Sequence, residues 1–289
     1  MPMPPTDLPA SRAAQALLAE VGRLDSLVVA YSGGVDSTVV LAASLRALGR
    51  SDTLAAIADS PALARDELLL ARRTAAELGA ELVVLPTDEL AVPGYRANAG
   101  DRCYFCKRTV LAAVSHLAAA RGYAHVATGT HRDDHRSAHR PGLRAARERG
   151  VVEPLATAGL GKAQVRAVAR EWGLAVADKP GTPCLASRIA VGVPVTRPRL
   201  ELVERAETAV RGFLSEWRAP VRDLRVRLLA GAFRVEVDAA AHRWLAGRPE
   251  RQAELLDRIG RTMGLDDGAL APYRPGSVNG AAASGGGPR

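Results

Sequence analysis

Ala30-Tyr-Ser-Gly-Gly-Val-Asp-Ser37 joins a run of apolar residues to an amphipathic one, and its reading decides the fold. Ser26 to Tyr31 reads as a buried strand and Ser37 to Leu48 as a helix. Gly33 and Gly34 admit backbone angles closed to other residues and let the main chain approach a ligand. A helix N-terminus directly after them offers unpaired N–H groups and positive dipole charge. Ser32 and Ser37 add hydroxyl donors, and Asp36 adds a carboxylate. The stretch lacks the lysine of a G-x-x-x-x-G-K-S/T loop and the third glycine of a dinucleotide fingerprint. A lone glycine pair would read as an ordinary turn. Here hexamer, preceding strand and following helix agree on a cradle for an anion.

Outward from the loop, short apolar runs alternate with helical patterns. Thr53 to Ala58, Glu81 to Leu85 and His125 to Thr128 read as strands. Ala62 to Leu78, Cys103 to Arg121 and Lys162 to Trp172 read as helices, with Gly79 and Gly173 as stops. Such alternation predicts parallel pairing with crossover helices, hence an α/β doubly wound parallel sheet. In sheets of this kind ligands sit at the carboxyl ends of the strands. Ser60 follows the second strand and Gly129 the fourth, so both are candidates for nucleotide contact. Asp133 and Asp134, in Thr128-Gly-Thr-His-Arg-Asp-Asp134, either face the nucleotide and its metal or sit in a solvated loop.

The pattern changes near residue 190. Arg199 to Trp217 reads as a long charged helix, Leu224 to Leu229 and Phe233 to Val237 as a hairpin, and Ala239 to Ala246 and Glu250 to Met263 as helices. The expected organisation is a nucleotide domain over 1–190, a smaller C-terminal α+β domain over 191–275, and a Gly/Ala/Ser-rich tail over 276–289 that reads as disordered. No repeat recurs at a period of roughly 20–50 residues.

With 289 residues, 47% of them hydrophobic, the chain can build a sizeable core. No apolar run approaches the roughly 20 residues of a membrane span, and the Pro-rich start is not laid out as a signal peptide, so the expected location is cytoplasmic. The net charge of +8 suits an anionic small molecule or nucleic acid. Its arginines are spread along the chain without a compact stripe, which argues against nucleic acid as the partner.

Three cysteines remain: Cys103 and Cys106 in Asp101-Arg-Cys-Tyr-Phe-Cys-Lys-Arg108, and Cys184 in Gly181-Thr-Pro-Cys-Leu-Ala-Ser-Arg188. An odd number in a large cytosolic chain speaks for metal or redox chemistry over a disulfide framework. Three thiolates hold a [4Fe–4S] cluster with one iron open. Zinc would need a fourth ligand such as His131 or His135, and a redox C-x-x-C would not need Cys184. Burial as small hydrophobes is the bland alternative. The charged neighbours of Cys103 and Cys106, and the arginine near Cys184, point to chemistry.

Ser32-Gly-Gly-Val-Asp-Ser37 resembles the loop of the PP-loop ATP pyrophosphatases, which cleave ATP to AMP and pyrophosphate; Asp36 then helps to hold Mg²⁺. Taken with Ala58-Asp-Ser-Pro61, Asp101-Arg-Cys-Tyr-Phe-Cys-Lys107, Arg140-Pro-Gly-Leu-Arg-Ala-Ala-Arg147, Asp178-Lys-Pro180, Cys184-Leu-Ala-Ser-Arg188 and Tyr273-Arg-Pro-Gly-Ser277, the chain resembles the LarE family from about Ser26 to Asn279. Members are ATP-dependent sulfur transferases that make the nickel-pincer nucleotide of lactate racemase. The resemblance implies that ATP adenylates a carboxylate of pyridinium-3,5-biscarboxylic acid mononucleotide and that sulfur displaces AMP. In single-cysteine members the residue matching Cys184 gives up its own sulfur and becomes dehydroalanine. In three-cysteine members the residues matching Cys103, Cys106 and Cys184 hold a [4Fe–4S] cluster whose open iron carries sulfide, which calls for an external sulfur donor. This chain has the three-cysteine pattern. The resemblance also implies a homo-oligomer.

A substrate with phosphate and carboxylates calls for cationic contacts. Ser187 and Arg188, near Cys184, are the first candidates; Arg225 and Arg227, alternating on one strand face, follow. Glu204 on the long helix is a further candidate, with a surface salt bridge as its plainer role. Rival readings are a PP-loop tRNA thiolase, an ATP-dependent amide synthetase, and a module that binds ATP or AMP without chemistry. The first lacks an RNA-binding module or basic cluster here, and the other two leave the cysteines unexplained.

Overall fold

The structure is a computed structural model that describes residues 10–136 and 141–274. Arg140, Ser277 and the 276–289 tail lie outside the described residues. The chain divides into two compact units, Met1–Glu89 with Cys103–Thr182, and Leu90–Arg102 with Pro183–Arg289.

The first unit holds four strands, β1 (Leu27–Ala30), β2 (Thr53–Asp59), β3 (Glu81–Pro86) and β4 (His125–Ala127), in the order β3-β2-β1-β4. Every pairing is parallel. A parallel bridge from Ala127 to Val152 extends the β4 edge. The helices of this unit are α1 (Ala10–Val21), α2 (Val35–Ala47), α3 (Arg65–Glu77), α5 (Arg102–Ala120), α6 (Pro141–Glu148), α7 (Pro154–Thr157) and α8 (Lys162–Glu171), while the short α4 (Pro93–Ala97) falls in the second unit. Strand side chains alternate between two cores. Leu27, Val29, Ala55 and Ile57 pack with residues of α1, α2, α3 and α8. Val28, Leu54 and Ala56 pack with Val114 and Ala118 of α5. A sheet covered on both faces is the doubly wound architecture that the apolar strand runs predict.

The second unit holds a three-stranded sheet of order β5-β6-β7, with β5 (Leu224–Leu228), β6 (Phe233–Val237) and β7 (Gly268–Pro272). β5 and β6 form the expected antiparallel hairpin; β7 joins β6 in parallel. Helices α9 (Arg197–Glu216), α10 (Ala239–Ala246) and α11 (Pro249–Met263) pack against this sheet. The stripe Leu200, Val203, Ala206, Val210 and Phe213 is buried at the three-to-four-residue spacing of one helix face. Asn98, in the left-handed region at the end of α4, ties the 90–102 segment into this unit: its amide donates to the carbonyls of Ala190 at 2.7 Å and Val193 at 2.9 Å. No helix among the described residues is long and apolar enough to cross a membrane.

Candidate functional site

The phosphate loop leaves β1 and enters α2 as the sequence predicts. Gly33 has φ +68°, the left-handed region that favours glycine, and an added Cβ there would stand 2.7 Å from Ala71 Cβ of α3. Ser37 is the loop's internal brace. Its Oγ accepts the Ser32 N–H at 3.2 Å, lies 3.0 Å from Ser32 Oγ, and donates to the Gly34 carbonyl at 3.2 Å. The Thr38 hydroxyl donates to the same carbonyl at 2.8 Å. Gly34 is the N-cap of α2 and Asp36 lies in its first turn. The loop is thus set as a rim of main-chain donors around a helix N-terminus, the arrangement that receives an anion.

Gly129, just beyond β4, is pressed against this rim: a Cβ there would lie 2.6 Å from Ser37 N. Ser60, just beyond β2, is buried, and its Oγ accepts the Ala62 N–H at 3.2 Å. The loop, Ser60 and Gly129 therefore stand at the carboxyl ends of β1, β2 and β4. Asp133 and Asp134 have defined local tasks. Asp133 accepts the Lys162 N–H at 2.7 Å, which holds its carboxyl below the ordinary range. Asp134 accepts the His131 N–H at 3.1 Å. His135 is paired with Glu153 at 2.8 Å.

Three residues of this unit were given no role from the sequence. Lys162, first residue of α8, donates to both carboxylate oxygens of Asp36 at 2.7 Å. Lys179 reaches the Gly33 carbonyl at 3.1 Å and Glu67 Oε2 at 2.5 Å. Glu89 is 1% exposed, accepts the Thr87 hydroxyl at 3.0 Å, and has no partner on Oε2 among the described residues. Burial pushes its carboxyl above the ordinary range, against hydrogen bonds from its own backbone, Thr87 and Ser60.

Cys103 and Cys106 stand three residues apart in the opening turns of α5, the first exposed and the second half-buried. Tyr104 between them is stacked by Arg144 at 3.8 Å and donates to Glu148 at 2.8 Å. Gly142 of the Arg-Pro-Gly-Leu-Arg segment approaches closely enough that a Cβ would touch the Cys103 carbonyl oxygen at 3.6 Å. Among the described residues no group of three or more His, Cys, Asp or Glu side chains is gathered as a metal site.

The second unit brings its predicted residues together. Cys184 is exposed and caps the short turn Leu185–Arg188. The Arg188 guanidinium is buried beneath it and donates to the Pro183 carbonyl, to the Cys184 carbonyl at 3.1 Å and to Ser187 Oγ at 3.1 Å. Its other nitrogens meet Glu207 at 2.9 and 3.3 Å. Arg227 joins from β5, donating to the Ser187 carbonyl at 3.0 Å and to Glu236 at 2.9 Å. Arg225 lies over the Tyr273 ring at 5.3 Å; burial and the charge of Arg188 press its pKa down. The strand that carries Arg225 and Arg227 is buried along its whole length. Glu204 is half-buried on α9, and the carboxylate that meets Arg188 is Glu207, one turn further on. Glu207 falls on the buried stripe of α9, and an acid on an apolar stripe is the signal that could have found it. Arg188, Arg225 and Arg227 against Glu207 and Glu236 leave one positive charge in excess among these five buried groups.

Fold and loop together define an α/β protein of the PP-loop type. No protein-family model matches the chain. It is 34% identical over 195 residues, 68% of its own length and 70% of the relative's, to the pyridinium-3,5-bisthiocarboxylic acid mononucleotide synthase of Lactiplantibacillus plantarum. An uncharacterized protein of Synechocystis is 40% identical over 216 residues, 75% of this chain and 78% of that one. An uncharacterized protein of Methanocaldococcus jannaschii is 27% identical over 188 residues, 65% of this chain and 70% of that one. The chain belongs to the LarE family of enzymes.

Proposed function

We propose that the protein is an ATP-dependent sulfur transferase acting on pyridinium-3,5-biscarboxylic acid mononucleotide. The observation that carries this reading is the phosphate loop, with Asp36 in the first turn of α2 and Lys162 bonded to both its oxygens, in a chain of this family. A substrate carboxylate oxygen attacks the α-phosphorus of ATP, and pyrophosphate leaves. Main-chain donors at the rim and the helix N-terminus take up the charge of the departing pyrophosphate. Asp36 would be the carboxylate that holds Mg²⁺, which would supply neutralisation of phosphate charge, and the Lys162 ammonium, now on Asp36, would be within the same site to meet a phosphate oxygen.

The acyl-adenylate so formed carries AMP as leaving group. A sulfur nucleophile forms the C–S bond, the C–O bond to AMP breaks, and a thiocarboxylate follows. Cys184 is the sulfur residue in this reading: it is exposed, while Arg188 beneath it fixes the turn that presents it. On the sacrificial route its Cβ–S bond breaks as the Cα proton is lost, leaving dehydroalanine. The excess positive charge around Arg188, Arg225 and Arg227 suits the substrate's phosphate, and Ser187 adds a hydroxyl. The three-cysteine pattern supports a [4Fe–4S] form. Cys103, Cys106 and Cys184 would hold the cluster, which would supply the sulfide to be transferred and would be reloaded by a sulfur donor. Anaerobic reconstitution tests it: about four irons per chain are expected, and iron-free protein removes the cluster. The adenylation step is tested by pyrophosphate release, which should require the substrate and fail in Asp36→Asn; release that is unchanged in this variant defeats the assignment.

A further inference from the structure

Lys179 lies outside every motif role assigned so far, yet it touches the phosphate loop itself. Its ammonium donates to the Gly33 carbonyl at 3.1 Å and is anchored by Glu67 of α3 at 2.5 Å. The pair is largely buried, with side-chain exposures of 12% and 20%. The chain bearing it is fixed in turn: Arg166 of α8 donates to the carbonyls of Ala177 at 2.7 Å and Lys179 at 2.9 Å. Lysine, loop carbonyl and glutamate are therefore held from two helices at once.

The consequence lies in the peptide plane. The Gly33 carbonyl and the Gly34 N–H belong to one trans peptide group and point in opposite directions. Gly33, at φ +68° and close against Ala71, holds a backbone conformation that favours glycine. A cation holding its carbonyl on one side aims the Gly34 N–H to the other. Among the described residues that N–H donates to Ser32 Oγ at 3.4 Å, a long bond that a phosphate oxygen can replace.

We propose that Lys179 is a positioning residue of the phosphate loop, which holds the Gly33 carbonyl and so aims the Gly34 N–H at a bound phosphate oxygen. This rests on the reading of the loop as a pyrophosphate site. The test is calorimetric binding of Mg²⁺-pyrophosphate and of adenosine to the full chain, with the Gly34 amide followed by NMR without ligand. Lys179→Met should weaken pyrophosphate about tenfold to a hundredfold, the loss expected for one charge-assisted hydrogen bond. Adenosine affinity should hold, and the Gly34 amide resonance should move in the ligand-free protein. Unchanged pyrophosphate affinity overturns the proposal. So does weakened binding with an unmoved Gly34 amide, which would mean direct contact between Lys179 and phosphate. If Lys179→Met does not fold, Glu67→Gln is read in its place: it frees the ammonium from its anchor and should shift both observables in the same direction, and no shift in either overturns the proposal. Wild-type protein that binds pyrophosphate in this Lys179-dependent way but forms no AMP would remove the proposed reaction and leave Lys179 in its role. Wild-type protein that does not bind pyrophosphate removes both.

Discussion

Glu207→Gln separates charge from shape in the arginine cluster. The side chain keeps its size, and one oxygen can still accept the Val226 N–H now bonded at 3.1 Å. What goes is the negative charge facing Arg188, a guanidinium only 2% exposed whose partner carboxylate is 9% exposed. Arg225 and Arg227 are also buried in this cluster, so the change raises a charge excess that already exists. Breaking one side of a buried pair costs about 3–5 kcal/mol, because the surviving charge is left without compensation. At roughly 2–4 °C per kcal/mol for a body of this size, the melting point should fall by about 6–20 °C. Denaturation followed by tryptophan fluorescence is a suitable assay, since Trp217 and Trp244 both lie in the second unit. The double variant Arg188→Met/Glu207→Leu supplies the control: with both charges gone, it should be more stable than Glu207→Gln alone. A Glu207→Gln protein within about 1 kcal/mol of wild type, or a double variant no better than the single one, would refute the claim that Glu207 compensates a buried Arg188.

Three further outcomes are expected. Cys184→Ala should release pyrophosphate at the wild-type rate of adenylation yet form no thiocarboxylate, as seen by chromatography of the products; sulfur transfer by this variant excludes Cys184 as the sulfur residue. Lys162→Met should slow pyrophosphate release by about a hundredfold or more, with little change in melting point because the Asp36–Lys162 pair is substantially exposed, at 28% and 41%; a normal rate removes Lys162 from the phosphate site. Glu89 links stability to pH: its folded carboxyl titrates above the unfolded value of 4.5, so the native state holds its proton more tightly. The stability from protonated Glu89 is full below that value and is lost as pH rises through the folded one. Glu89→Gln should therefore gain in melting point relative to wild type as pH rises above 4.5, and a gap constant with pH contradicts this.

Much of the first unit was legible because its signals are local. The phosphate loop, its strand and its helix follow one another, and the parallel strands read as short apolar runs because both faces are covered. α1 went unread although Ala13, Ala14, Leu17 and Val21 give it a buried stripe. β7 has little to be read by: Gly268-Ala-Leu-Ala-Pro272 contains no β-branched residue and ends in proline, and only its pairing with β6 makes it a strand. The site divides in the same way. Ser187 and Arg188 are two of the motif around Cys184, and Arg225 and Arg227 show their alternation. Lys162 and Lys179 were hidden because they meet the loop from 126 and 146 residues away. Glu207 went unread because charge is expected on the solvent side of a helix, whereas here a buried arginine draws the acid onto the apolar stripe.

The most direct test of the central claim is a single-turnover reaction of purified protein with Mg-ATP and pyridinium-3,5-biscarboxylic acid mononucleotide, with the nucleotide product weighed by mass spectrometry and AMP counted beside it. Sulfur transfer predicts a product about 16 Da heavier for each oxygen replaced by sulfur, with one AMP and one pyrophosphate per sulfur. A cluster-bound sulfide leaves the protein's own mass intact, whereas the sacrificial route lowers it by about 34 Da at Cys184. AMP formed without any heavier product, or no AMP dependent on the substrate, would contradict the account.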